Sequence, residues 1–418
     1  MSTALAEWLE SDQPAEQGGV GTALRQRAAA ELRQHGYPTL KTEDWKYTGL
    51  RRLEARPTPA EAPDIQALER QLASLFPQGL PERCVVFAGA VYIPELSQAA
   101  GVTLIQDELL NDRLAGLLDD LGGAEDAFVR LALAQCHQAW RLDCEADDER
   151  LLHIVHLPAR GGDGAGHLVL NLNLAAGQKL ALLEHHDAQP ASFNNALWTM
   201  DLAESAQLDH GRIIDIGNEA MNFDRCDVNL AAHARYRFGD VIRSGRMVRH
   251  EARIHYCGDN AQALTCAALM IDQQCHADHD WLMVHGAHHC NSQQWFRAAV
   301  NDRARAIYSG RARIHARIRG SSVEQSSRGL MLSDDAEIDA RPILEIYADE
   351  VQASHGATTG CLDEDALHYL RSRGIDEAQA RNMLIDAFVR SALTPLSDSL
   401  LSDALHQALA LNQSGDHL

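Results

Sequence analysis

Between about residue 150 and residue 350, apolar and polar positions alternate in short runs. His167–Leu174 (HLVLNLNL), Gln178–Leu183, Arg235–Phe238, Met247–Tyr256 and Arg311–Arg319 all show a period of two. That period sends successive side chains to opposite faces of a strand. The runs are broken by Gly, Asp and Asn, and no segment of helical period separates them, which argues against a βαβ sheet. Sandwich, barrel and solenoid remain. Apolar or small residues on both strand faces, and the lack of two-residue hairpin turns, favour a parallel β-helix whose coils bury their inner faces on one another.

The flanks read differently. Thr22–His35 is rich in helix formers and stops at Gly36-Tyr37-Pro38. A loop with Pro57, Pro59 and Pro63 leads to a second helix over Ile65–Phe76, and Cys84–Ile93 reads as a hairpin about Gly89. Asp107–Leu121 and Glu125–Trp140 return to helical spacing. After Gly360 the alternation ends: Asp363 caps a helix to Arg373, Asp376 caps another over Glu377–Leu393, and a third is expected about Ser399–Leu411. The expected architecture is mainly β. An N-terminal mixed α/β region (1–145) precedes a parallel β-helix (146–360), and a C-terminal helical domain (361–418) follows it.

Charge narrows the function classes. Fifty-nine acidic residues against 37 basic ones leave a formal charge of −22 over 418 residues. Such an excess repels a phosphate backbone, so nucleic acid is not an expected partner. No apolar run is long enough to span a membrane, and Glu7, Glu10 and Asp12 stand where a signal peptide carries positive charge. The chain is therefore expected in the cytoplasm and off membranes. Its nine cysteines are scattered without a CxxC pair, as expected for free thiols.

Four groups of residues merit chemical attention. Cys275, His276, Asp278, His279, Asp280, His285, His288, His289 and Cys290 offer metal-ligating side chains. In a strand, however, His276 and Asp278 face one side and His279 the other, so a solvated strand face or turn is the expected setting. Gly161–Gly166 lacks the spacing of a phosphate loop and reads as a turn. Arg311, Arg313, His315, Arg317 and Arg319 would share one face of a single strand, either solvated or anion-binding. His355, among the small residues of ASHGATTG (353–360), is sterically open to a metal.

The run from Gly329 to Gly374, Lys41-Thr42-Glu43-Asp44-Trp45-Lys46-Tyr47, and HGAHHCNS (285–292) closely resemble the SufB/SufD family of iron–sulfur cluster assembly proteins. Gly356 follows the motif histidine and no cysteine occurs from 291 to 360, so the chain is similar to the SufD branch rather than to SufB. The resemblance implies a right-handed parallel β-helix and a non-enzymatic scaffold subunit. It implies pairing with a SufB-like protein through the C-terminal end of the β-helix, and a homodimer when alone. A SufC-like ABC-type ATPase would sit on the C-terminal helices, where Tyr369, Met383 and Phe388 are candidate contacts. It also implies that His355 is a candidate metal ligand at the SufB-facing interface, toward iron or a nascent iron–sulfur cluster held transiently and shared with SufB. Ala353 stands where some members carry a cysteine, so a thiolate is lacking at that position.

Two other readings compete. A β-helix carbohydrate-active or metal-dependent enzyme would use the strand-borne His, Asp and Arg, but aromatics for stacking sugars are only 5% of the chain. A helix-turn-helix over 363–393 would be more acidic than basic, against a DNA-binding role.

Overall fold

A computed structural model describes residues 21–50, 58–59, 64–106, 109–136, 138–145, 150–158, 164–187 and 192–410. Gly161, Gly162 and Asp163 of the glycine-rich run, Pro57, Pro63, Asp107 and Leu411 lie outside the described residues, whereas residues 164–166 open strand β8 rather than a turn.

The helices are α1 (Thr22–His35), α2 (Ile65–Leu75), α3 (Leu109–Asp120), α4 (Ala127–Gln135), α5 (Glu364–Ser372), α6 (Glu377–Arg390) and α7 (Ser402–Ala408). The first strands are short: β1 (Thr58–Pro59), β2 (Arg83–Ala88), β3 (Val91–Tyr92), β4 (Gln98–Ala99), β5 (Val102–Ile105), β6 (Ala139–Cys144) and β7 (Leu152–Leu157). Then come β8 (Gly164–Leu174), β9 (Lys179–Asp187), β10 (Phe193–Leu202), β11 (Gln207–Asp215), β12 (Met221–Leu230), β13 (Arg235–Ser244) and β14 (Met247–Tyr256). The series ends with β15 (Gln262–Ile271), β16 (His276–His285), β17 (Asn291–Val300), β18 (Arg305–Ile314), β19 (Arg319–Met331), β20 (Glu337–Ile346) and β21 (Glu350–Gly360).

From β8 onward even strands pair in parallel with even strands, and odd with odd. The chain thus winds as a two-sheet β-solenoid of about seven turns. The inward faces build one continuous core that includes Leu182, Ile214, Phe238, Ile254, Trp281 and Phe296. The outward faces are buried as well. The even sheet (Val169, Leu197, Phe223, Met247) packs under α1, α3 and α4. The odd sheet (Leu183, Val241, Leu264, Ala268) packs under α6, α7 and the turn of 3-10 helix at Ser391–Leu396. Burial on both faces explains unbroken apolar runs such as residues 266–271 of β15.

Three local expectations change. Helix α4 stops at Gln135, and Ala139–Cys144 is a strand, because Trp140 and Leu142 pair with β8. The basic run 311–319 is not one strand: β18 ends at Ile314, the chain turns, and Arg317 occupies the left-handed region with φ +71°. Helix α6 ends at Arg390 and passes into 3-10 helix through Leu396, and α7 is shorter than its pattern. Elsewhere Thr22–His35 matches residue for residue, and Phe87 and Ala88 pair antiparallel with Tyr92 and Val91 about Gly89. Asp363 and Asp376 cap α5 and α6. No helix among the described residues is long and apolar enough to cross a membrane.

Candidate functional site

The last coil is left uncapped. β20 pairs only with β18 and β21 only with β19, so each sheet ends in a strand with one unpaired edge among the described residues. Such an edge is a template for another strand. β21 carries His355, whose register partner is Gln325, itself the partner of Gln294. Gln294 and Gln325 are buried, and Gln325 donates to the Gly310 carbonyl at 3.0 Å. The same column continues back through Thr265, Phe238 and His210. His355 therefore ends an inward-facing column of the β-helix, and it is exposed because no further coil covers it. Ile346 and Tyr347, at the end of β20, are exposed apolar neighbours in chain order to the same open coil. An accessible imidazole beside an open strand edge and apolar surface suits a ligand completed by a second chain.

The histidine-rich stretch has a different outcome from the solvated face expected. His276 and Asp278 are buried on the outer face of the even sheet, where the Thr48 hydroxyl reaches both, at 3.0 Å from His276 Nε2. His279 points inward, its Nε2 2.7 Å from Asp240. His285 also points inward, 2.9 Å from Ser292 and stacked on Tyr256, and burial lowers its pKa to about 4. Cys290 is buried, and that burial raises its thiol to about 11. These groups go to opposite faces of β16 and to the corner after it, so the stretch does not gather at one point; His279 instead lies beside Asp240 and His250 inside the coil. What they do is structural: Thr48 follows the KTEDWKY segment, which is strapped over the even sheet.

That strap is charged as well as apolar. Trp45 is 1% exposed, stacked near Phe128 and Phe223, with the Arg249 guanidinium 3.9 Å over its ring. Asp44 binds Arg311, whose pKa rises against its burial because Asp44 and Asp280 face it. Arg313 pairs with Glu345 at 2.6 Å. Arg311 and Arg313 are thus held in ion pairs, whereas His315, Arg317 and Arg319 are exposed at the turn after β18, Arg319 lying 3.8 Å from Glu350.

Among the candidate partner contacts, Tyr369 and Met383 are exposed on α5 and α6. Phe388 is partly buried, its ring packed against the cluster between α6 and the odd sheet. Sequence reasoning passed over Glu184-His185-His186 in β9, although alternation alone puts Glu184 and His186 on one face.

Comparison with known proteins agrees with this architecture. Residues 161–388 match the family model described as SUF system FeS cluster assembly, SufBD core domain. The chain is 29% identical over 405 residues to the iron–sulfur cluster assembly protein SufD of Escherichia coli, covering 95% of this chain and 94% of that protein. It is 26% identical over 383 residues to a SufBD family protein of Mycobacterium leprae, covering 89% of each. A SufBD family protein of Synechocystis is 29% identical over 223 residues, 53% of this chain and 49% of the relative. With more than half of its length matched by the family model, and with a solenoid ending in an open, histidine-bearing coil, the chain belongs to the SufBD family of SUF iron–sulfur cluster assembly proteins.

Proposed function

We propose that this chain is a non-enzymatic, cytoplasmic subunit of a SUF assembly scaffold that pairs with a SufB-like chain through its uncapped last coil. His355 supplies an imidazole to iron, or to a nascent cluster, handled as cargo and shared with that partner. The observation carrying the reading is the position of His355: exposed, at the end of the inward column, on a terminal strand with an unpaired edge. An imidazole binds iron, and a partner's sulfur or carboxylate would supply the ligands that Ala353 does not. In isolation the same edges would pair two copies. The C-terminal helices, with Tyr369 and Met383 outward and Phe388 at their margin, are the proposed seat of a SufC-like ABC-type ATPase.

The test is anaerobic purification of the chain from its own cell extract, with mass spectrometry of what accompanies it. Recovery of a SufB-like chain and an ABC-type ATPase supports the reading, and a chain that emerges alone overturns the proposed assembly. His355→Ala should leave the complex assembled while lowering its iron content or cluster transfer. Normal cluster delivery by that variant would remove His355 from the site.

A further inference from the structure

Within the N-terminal half of the β-helix, a few polar side chains interrupt the aliphatic filling. In β9, Leu182 belongs to the interior core and Leu183 to the outer cluster, so Glu184 and His186 point inward. His156 of β7 is the register partner of His186, one coil away. Glu184 is held from several directions. His156 Nε2 lies 2.8 Å from its Oε2, His210 Nε2 lies 2.7 Å from its Oε1, and Trp198 Nε1 donates to Oε2 at 3.0 Å. Burial opposes charge on this carboxyl, but the hydrogen bonds from His156 and His210 outweigh it and hold Glu184 well below the usual carboxylate range.

His186 is the anomaly. Its side chain is 1% exposed, its Nε2 is 3.8 Å from Glu184 Oε2, and its ring stacks on His156 with centroids 4.2 Å apart. Neither ring nitrogen has a hydrogen-bond partner. Buried polar groups are nearly always satisfied, and an orphan of this kind calls for a reason.

Charge points the same way. Across β9–β13 the inward-facing charged side chains are Glu184, Arg212, Asp224 and Asp240. Arg212 is spent on Asp224 and Asp240. Glu184 has no such ion pair with Arg212: its hydrogen-bond partners are His156, His210 and Trp198. We propose that His156, Glu184 and His186 form an enclosed site for one divalent transition ion of the zinc or ferrous class, bridging the adjacent coils β7 and β9. One ligand atom from each of the three lies within 4.8 Å of the others. Metal–ligand bonds of about 2.0–2.2 Å set tetrahedral ligand atoms roughly 3.4 Å apart. The 2.8 Å and 3.8 Å separations reach that value by shifts of about half an ångström, with the two imidazoles, now 19° from parallel, tilting so that their lone pairs converge on the ion. Two imidazoles and a carboxylate are a common set for such ions. His210 and Trp198 then orient the carboxylate from behind, as supporting hydrogen bonds do around bound metals. The ion would enter as the coils close, since the ligands are buried.

The experiment uses the full-length chain with a histidine-free affinity tag, produced in medium supplemented with Zn2+ or Fe2+ and dialysed against EDTA. Metal content is measured beside His186→Gln, Glu184→Gln and His355→Ala. The expected result is about one ion per chain in the parent and in His355→Ala, with at least a tenfold loss in the two β9 variants. The parent ion should show an X-ray absorption spectrum with nitrogen and oxygen neighbours, imidazole scattering and no sulfur, and should be released by EDTA only in denaturant. If a β9 variant fails to fold, His156→Gln in β7 takes its place, because the spectrum alone does not separate this site from Asp240, His250 and His279, a second buried group with the same donor set. A parent chain holding less than about a tenth of an ion, sulfur in the shell, metal retained by folded His186→Gln, or metal lost through His355→Ala would each overturn the site.

Discussion

Replacing Trp45 with Ala should release the N-terminal strap from the even sheet. The indole is 1% exposed, lies 5.3 Å from Phe128 and 6.1 Å from Phe223, and donates from Nε1 to the Glu125 carbonyl at 3.1 Å. Burying some 200 Å² of ring at about 25 cal/mol per Å² is worth roughly 5 kcal/mol as an upper figure. Measured Trp→Ala losses in cores run about 3–5 kcal/mol. The Arg249 cation 3.9 Å over the ring adds of order 1 kcal/mol. A global midpoint does not isolate the strap from the rest of a chain this size. Native-state amide exchange across residues 43–48 and α1 reads the local opening directly. A loss of about 3 kcal/mol accelerates that exchange more than 100-fold, while exchange in β15 and β17, on the other sheet, should hardly change. Trp45→Phe should fall between the two. Exchange within tenfold of the parent in Trp45→Ala would refute the view that this ring anchors the strap.

Further outcomes follow from packing and titration. A Cβ at Gly239 would lie 2.7 Å from the side chains of Leu396 and Leu405, so Gly239→Ala should cost about 1–3 kcal/mol by overpacking. The measurable consequence is faster proteolysis of the C-terminal helices, and unchanged digestion would contradict it. Acidification should destabilise the chain: burial lowers His153 and His285 to about 4 and His185 to about 3. The unfolded chain then binds more protons between roughly pH 6.5 and those values, so stability falls as pH drops through that window. Asp224, raised to about 6 mainly by burial, opposes this over part of the range, as do Asp44 and Asp278, but burial also lowers His186, His250, His255 and His406, so the histidines outnumber the carboxyls. A thermal midpoint that rises from pH 7 to pH 5 would refute this reasoning. His355→Ala should leave the melting temperature of the isolated chain within about 1 °C, because an exposed side chain away from caps and ion pairs contributes little to stability.

Much of the outer architecture was readable locally. Thr22–His35, the two aspartate caps and the hairpin about Gly89 follow from propensity, capping chemistry and a turn glycine, all settled within a few residues of chain. Alternation correctly sent His276 and His279 to opposite faces. The coil repeat was not readable, and its geometry says why. Successive coils differ in length, from 26 residues between the partners Cys226 and Ala252 to 32 between Ala312 and Leu344. The corner leading from an even to an odd strand repeatedly needs a left-handed residue, yet Ser205, His233, Asn260, His289 and Arg317 fill it instead of glycine. Backbone bonds between coils hold them there, such as His233 N to Asp259 O and Asn260 N to His288 O. Arg317 thereby broke what looked like one basic strand.

The amino-acid order by itself established a two-periodic central region, helical flanks and an acidic, thiol-bearing chain, because each depends on neighbours close in sequence. Only the tertiary structure decided which face of each strand turns inward and which lies beneath a helix, since both are buried and hydrophobicity does not distinguish them. The same winding gathered Glu184, His156 and His186 from adjacent coils and placed His355 at the open end of its column. Proximity between coils comes from parallel register across some thirty residues, and register is a property of the stacked coils rather than of any one segment.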